Sequence, residues 1–270
     1  MKLAQRAAQI KPSATLTISA KAKALKQDGV QVVNFGVGEP DFDTPQHIQE
    51  AAVAALKRGE TRYTAVGGID ELKAAICRTI AKDYGLVYGK ENVLVCCGGK
   101  HALYNLFQAV LDPGDEVIIP SPYWVSYPDM VELAGALPVT VACPEESGFM
   151  LRPEDLESAI TPRTRMIIIN SPSNPTGVHY RRNDYSALAE VLAKYEDIII
   201  VSDDIYYRIL FNGCEWTSMA MLGDRLRERT FIVNGVSKTY CMTGWRIGYL
   251  VGDAGVIKSA NNIQSQSTSN

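Results

Sequence analysis

With 270 residues, 46% of them apolar and 21% charged, the chain can form one large domain or two modest ones around an ordinary globular core. Its 27 Lys and Arg against 30 Asp and Glu leave a net charge of −3, which gives no basic footprint for nucleic acid or an anionic membrane. The aliphatic runs are too short to span a bilayer, the first residues lack the apolar core of a signal peptide, and six cysteines without C-x-x-C spacing give no metal pattern. Free thiols in a cytoplasmic protein are therefore expected.

In chain order, Ser13, Thr15 or Thr17 can cap a helix that runs to about residue 27, where Asp28 and Gly29 stop it. Residues 30–35 are a short strand candidate, followed by a loop dense in turn residues, 36–45. An alanine-rich helix over 48–58 ends at Gly59. After a second loop, residues 70–84 have helical periodicity and end at Gly85.

From Asn92 the pattern alternates. Strands are expected at 93–97, 116–119, 137–141, 166–170, 198–203, 231–236 and 246–251, and helices at about 100–110, after Trp124, and at 153–160 and 183–194. Near-continuous aliphatic strands separated by helices mean an α/β fold, with a mostly parallel sheet covered on both faces. The closing stretch, 264–270, is polar and does not look like the finish of a domain; it reads as an interrupted helix.

In such sheets ligands bind off the carboxyl ends of the strands. Five strands release distinctive residues there: Gly98-Gly99-Lys100, Ser121 to Trp124, Asn170 to Asn174, Asp203 to Tyr206, and Ser237-Lys238. A parallel sheet brings all five sets to one rim. Each has a use around pyridoxal phosphate. Gly98 and Gly99 before a helix present N–H groups to a phosphate, with Ser237 and Arg246 completing the cradle. Asp203 can keep a pyridine nitrogen protonated, Asn174 and Tyr206 can reach the phenolic oxygen, and Trp124 can stack on the ring. Lys238 can form the Schiff base and shuttle the proton as base and acid. Singly, each has a plainer reading: a surface lysine, a helix-capping aspartate, a turn at Asn174, a core tryptophan. The combination, in this order, sets the reading.

The motifs Lys11-Pro-Ser-Ala-Thr15, Gly38-Glu-Pro-Asp-Phe-Asp-Thr-Pro45, Gly98-Gly-Lys-His-Ala-Leu103, Ser121-Pro-Tyr-Trp-Val-Ser-Tyr-Pro128, Asn170-Ser-Pro-Ser-Asn-Pro-Thr-Gly177, Val201-Ser-Asp-Asp-Ile-Tyr206 and Ser237-Lys238 with Met242-Thr-Gly-Trp-Arg-Ile-Gly-Tyr249 cover essentially the whole chain. Together they resemble class I, fold-type I pyridoxal-phosphate aminotransferases, and within them the bacterial aspartate aminotransferase subgroup. The resemblance implies a three-layer α/β/α large domain, here 46–270, and an N-terminal arm with a small-domain segment, 1–45. Most of the small domain is expected to be missing.

It further implies pyridoxal 5'-phosphate as cofactor, amino-acid and 2-oxo-acid substrates, and a homodimer with shared active sites. Lys238, Asp203 and Tyr206 would be catalytic. Gly99, Lys100, Trp124, Asn174, Ser237 and Arg246 would join them around the cofactor, with Tyr63 reaching the phosphate of the neighbouring subunit. Gly38, Ser13, Thr15, Lys100, Trp124 and Asn174 would meet the substrate; one cation and two hydroxyls suit a distal carboxylate. The implied reaction transfers an amino group from L-aspartate to 2-oxoglutarate, with prephenate or aromatic transamination, a lyase reaction such as β-elimination, or an inactive fragment as alternatives. Departures are Asp204, where the family often has Glu, His101 and Cys241, and no arginine follows Arg246, although the family grips the substrate α-carboxylate with a later one. Which of Pro122 and Pro175 follows a cis bond stays open.

Overall fold

The computed structural model describes residues 2–10, 12–36 and 38–268. Lys11 of the first motif and the last residues of the polar ending, Ser269 and Asn270, lie outside the described residues.

The elements in order are α1 (Gln5–Gln9), α2 (Ala14–Gln27), α3 (Gln46–Lys57), α4 (Asp70–Tyr84), β1 (Val93–Cys96), α5 (Gly99–Val110), β2 (Glu116–Ser121), α6 (Ser126–Leu133), β3 (Leu137–Ala142), α7 (Pro153–Ala159), β4 (Thr164–Asn170), α8 (Arg182–Leu192), β5 (Ile199–Asp203), α9 (Asp224–Arg227), β6 (Thr230–Gly235), β7 (Gly248–Val251) and α10 (Ala254–Ser265). The strands form one sheet in the order β1-β7-β6-β5-β4-β2-β3. Strands β2 to β6 pair in parallel, and β7 runs against both β6 and β1, so only β7 is reversed. The strand ends are level: Asn170 lies opposite Asp203, and Asp203 opposite Val233. Five strands therefore do deliver their polar residues to one rim.

Alternation along the strands builds the layers. Met166 and Ile168 face a core with Leu103, Leu106 and Phe107 of α5, while Ile167 and Ile169 face Leu156 of α7 and Tyr185 and Leu188 of α8. A third cluster packs Ile76, Ile80 and Tyr84 of α4 on Val93, Val95, Ile232 and Val251. The spacing of 76, 80 and 84 is one helical stripe. Helix α4 opens with Asp70 and Glu71, carries Lys82 in its last turn, and stops at Gly85 in the left-handed region, φ 69°.

Two expectations change, and one polar residue is placed unexpectedly. Residues 30–35 form no strand; Val33 and Phe35 are exposed, and no neighbouring strand offers the ladder that an isolated segment would need. Ser13 holds the N-cap position of α2 but its side chain makes no capping bond; its carbonyl instead accepts Thr17 Oγ1 at 3.0 Å. The polar ending begins with a fully buried residue, Gln264, on α10. Its amide donates to Val66 O at 2.7 Å and Val95 O at 2.8 Å, and accepts Asn105 Nδ2 at 2.7 Å.

Candidate active site

A cavity of about 650 Å³ opens at the rim where β1, β2, β4, β5 and β6 end. Its lining contains Thr15, Gly38, Gly99, Lys100, Trp124, Asn174, Asp203, Tyr206, Ser237, Lys238 and Arg246, eleven of the thirteen residues singled out from sequence. Ser13 is half-buried outside it, and the Tyr63 side chain stands 89% exposed on the loop before α4.

The phosphate-type cradle is built from backbone. Gly98 takes φ 84°, and α5 begins at Gly99, so the first N–H groups of the helix have no partner within it. A Cβ on Gly98 would lie 2.2 Å from Arg246 Nη2, and one on Gly248 would lie 2.3 Å from Gly98 C and 2.4 Å from Gly99 N. Only glycine at these positions lets β7, the turn and the guanidinium meet. Arg246 itself is left-handed, φ 58°, which costs a non-glycine residue about 1–2 kcal/mol. Its side chain is tied down by donating to Thr243 O at 2.7 Å and Cys97 O at 3.3 Å. This arrangement of bare N–H groups, a fixed guanidinium and the buried Ser237 fits a phosphate.

Asp203 closes β5 and is buried. Burial pushes its carboxyl up from the usual range to about 6, against the pull of two donors. These are Tyr127 O–H, 2.6 Å from Oδ2, and the Ile205 N–H, 3.3 Å from Oδ1. Asn170 ties the end of β5 to the loop after its own strand: Nδ2 donates to Asp203 O at 2.9 Å, and Oδ1 accepts the Asn174 N–H at 2.8 Å. Asn174 in turn hydrogen-bonds Tyr206. Burial and then the charge of Asp203 raise the Tyr206 phenol, with that bond opposing. The peptide bonds before Pro122, Pro172 and Pro175 are all cis.

Lys238 is half-buried, 5.8 Å from the centre of the Tyr206 ring. Its ammonium donates to Gly38 O at 2.6 Å. Burial lowers its proton affinity; Glu39 opposes this and the Arg246 charge adds to it. The 38–44 loop is held over the lysine by side chains on both sides: Thr243 Oγ1 donates to Glu39 Oε1, Thr44 Oγ1 to Cys241 O at 2.6 Å, and Trp245 Nε1 to Thr44 Oγ1 at 3.1 Å. Lys100 holds its ammonium 4.9 Å from the centre of the Trp124 ring, and burial, then the Arg246 charge, lowers it too. The indole packs edge-on against Tyr127, 5.4 Å between centroids.

Sequence reading assigned no role to Tyr127, Asn170 or Asp204. All three lie inside the quoted motifs, but Tyr127 and Asp203 are 76 residues apart and no spacing rule joins them. Asp204, a departure from the family's usual Glu, is fully buried, with three hydroxyls on its carboxyl.

The family described as aminotransferase class I and II matches residues 30–270. The aspartate aminotransferase of Bacillus subtilis is 53% identical over 270 residues, spanning 100% of this chain and 68% of that enzyme. The aspartate/prephenate aminotransferase of Cereibacter sphaeroides is 54% identical over 263 residues, 97% of this chain and 66% of that enzyme. Among solved structures, the aspartate aminotransferase of Rhizobium meliloti superposes with a TM-score of 0.96 at 48% identity, covering 100% of this chain and 67% of its own. That of Thermus thermophilus with maleate gives 0.95 at 46% identity, covering 100% and 69%.

Proposed function

This chain belongs to the class I and II aminotransferases, and within that family we propose that it transfers the amino group of L-aspartate to 2-oxoglutarate, giving oxaloacetate and L-glutamate. The observation that carries the reading is that Lys238, an amine made less basic by burial, opens onto the same cavity as Asp203, the Asn174–Tyr206 pair and the bare start of α5. Residues 46–270 would form the cofactor-binding domain and 1–45 an arm.

Pyridoxal 5'-phosphate, when bound, supplies an electron-poor ring able to stabilise negative charge at the substrate α-carbon. The chain's own groups divide the remaining work. Gly99, Ser237 and Arg246 hold the phosphate. Asp203 keeps a proton on the ring nitrogen, and Asn174 with Tyr206 orients the ring through its phenolic oxygen. Trp124 packs against the ring face. Lys238 would hold the cofactor through Nζ, and as a free amine it would take the proton from the substrate α-carbon and return it. A lowered proton affinity suits both tasks, because each needs a free amine. Tyr63, projecting from the surface, would reach the phosphate in a second copy of the chain.

Among the described residues, three cationic side chains line the cavity, Lys100, Lys238 and Arg246. With the last two committed to the cofactor, Lys100 is left to pair a substrate carboxylate, helped by Thr15 and Ser13 and by the Gly38 N–H. A dicarboxylate is favoured because the Thermus relative was solved with maleate, a four-carbon dicarboxylate. The test adds pyridoxal phosphate to the purified chain and follows its visible band, then its products from aspartate and 2-oxoglutarate. Wild type should give a shifted band and oxaloacetate, and Lys238→Ala neither. The same shifted band in that variant as in wild type would refute the role of Lys238, and ammonia release in place of glutamate would identify a lyase.

A further inference from the structure

Next to Asp203 the chain buries a second carboxyl. Asp204 is wholly inaccessible. Its Oδ2 lies 3.0 Å from Tyr84 Oη and 3.0 Å from Ser218 Oγ, and its Oδ1 2.8 Å from Ser202 Oγ. The two serine hydroxyls are themselves 3.0 Å apart. Tyr84 Oη also accepts Asn234 Nδ2 at 3.1 Å, so its single hydrogen is free for Asp204.

The hydrogens around this ring can be counted. There are four oxygen–oxygen contacts, namely Tyr84 to Asp204, Ser202 to Asp204, Ser218 to Asp204 and Ser202 to Ser218. The three hydroxyls supply one hydrogen each. If Asp204 is a carboxylate, three hydrogens cannot bridge four contacts, and one oxygen pair is left with nothing between its members, either the two serines or a serine and the carboxylate. If Asp204 is a carboxylic acid, a fourth hydrogen is present. Then Oδ1–H donates to Ser202, Ser202 to Ser218, and Ser218 and Tyr84 to Oδ2, and every contact is a hydrogen bond.

The surroundings agree. The titratable groups that face Asp204 are Tyr84 from α4, Asp203 on β5, Tyr249 from β7, Tyr127 from α6 and Tyr185 from α8. None is a cation. All four tyrosines are pushed upward, burial first, and stay neutral. A buried carboxylate without a cation is costly, and the charge of Asp203 adds a smaller push in the same direction. Burial carries Asp204 up to about 8 and Asp203 only to about 6, which puts the proton on Asp204.

We propose that Asp204 is a positioning residue held as a neutral carboxylic acid at neutral pH, closing a three-bond ring with Ser202 and Ser218 to which Tyr84 adds a fourth bond, and leaving the negative charge on Asp203. The neutral state of Asp204 rests on the hydrogen-bond geometry together with its burial; its use, an anionic Asp203 facing a protonated ring nitrogen, rests on the function proposed above. If the Lys238→Ala test fails while the measurements below succeed, only that use is lost.

The full chain at pH 7 should show the infrared carbonyl stretch of a protonated carboxylic acid. The band should shift with isotope-labelled aspartate, survive in Asp203→Asn, and vanish in Asp204→Asn. The amide of Asn keeps one donor for Ser202 and one acceptor for Ser218 and Tyr84, so this variant preserves the ring. Because the substitution removes no charge, the titration midpoint of the Asp203 carboxyl, followed by carbon NMR, should stay where it is. The folded-state proton also has a linkage signature. Asp204 is raised above its ordinary 3.8, so its contribution to stability is complete below that pH and is lost as pH rises towards about 8. Between those limits the unfolding equilibrium constant of wild type should rise about tenfold per pH unit relative to Asp204→Asn. Absence of the band in wild type, a fall in the Asp203 midpoint, or parallel pH slopes would each overturn the proposal. Should Asp204→Asn not fold, the labelled band in wild type and in Asp203→Asn decides alone.

Discussion

Replacing Gly248 by alanine tests the cradle directly. The added Cβ would sit 2.3 Å from Gly98 C, 2.4 Å from Gly99 N and 2.8 Å from Gly98 O, all backbone atoms. Carbon atoms pack best at about 3.5–4.0 Å, so the overlap exceeds about 1 Å. Strand β7 cannot swing clear, because Gly248 is paired with Cys96 on one side and Gly235 on the other. The turn at Gly98 and Gly99 must move instead. Overpacking of this kind costs about 1–3 kcal/mol of stability. Displacing one N–H from a bound phosphate loses a bond to a charged group, about 1.5–3 kcal/mol, or about 10- to 150-fold in affinity. The assay is a pyridoxal phosphate titration beside a urea unfolding curve. Gly244→Ala is the control, since its Cβ meets nothing within 4 Å, and its stability should change by less than about 0.5 kcal/mol. Wild-type cofactor affinity together with a wild-type urea midpoint in Gly248→Ala would refute both the packing argument and the cradle.

Tyr127→Phe removes the donor 2.6 Å from Asp203 Oδ2. That bond favours the ionised form, so the Asp203 midpoint should climb from about 6 by about 1–2 units, one unit per 1.36 kcal/mol. Asp203 is raised above its ordinary value, so the stability it contributes is full at low pH and lost as pH rises through the folded midpoint; the variant should carry that loss to higher pH. Carboxyl NMR reads the shift, and an unmoved midpoint would show that the phenol does not stabilise the charge. Gln264→Leu deletes three buried hydrogen bonds that join α10 to α5, β1 and the loop carrying Tyr63. At about 1 kcal/mol each, about 3 kcal/mol should be lost in urea unfolding, and a loss below about 1 kcal/mol would mean that the buried amide is idle.

Periodicity and turn chemistry made most elements legible. Helix α4 was readable to its ends because Asp70, the 76-80-84 stripe and Gly85 are local signals. The strands were readable because aliphatic runs buried on both faces look alike wherever they lie in the sheet. The segment 30–35 misled for the same reason: its composition suits a strand, but a strand exists only where a neighbour pairs with it. The site was legible as a set, since most of its residues follow a strand and a parallel sheet has one carboxyl rim; Thr15 and Gly38 come instead from α2 and the loop after it, ahead of the first strand.

Sequence alone thus determined the layers, the rim and the identities of the groups that meet there, because these follow from local patterns repeated along the chain. Only the tertiary structure decided what state those groups are in. Whether a carboxyl is charged depends on burial and on partners that arrive from distant elements: Tyr127 at Asp203, Tyr84 and Ser218 at Asp204. The same holds for Gln264, polar by composition and buried in fact, and for Gly248, whose missing Cβ matters only because the turn at Gly98 folds against it. Residues 203 and 204 are the same amino acid one position apart, and the surrounding fold gives one of them the charge and the other the proton.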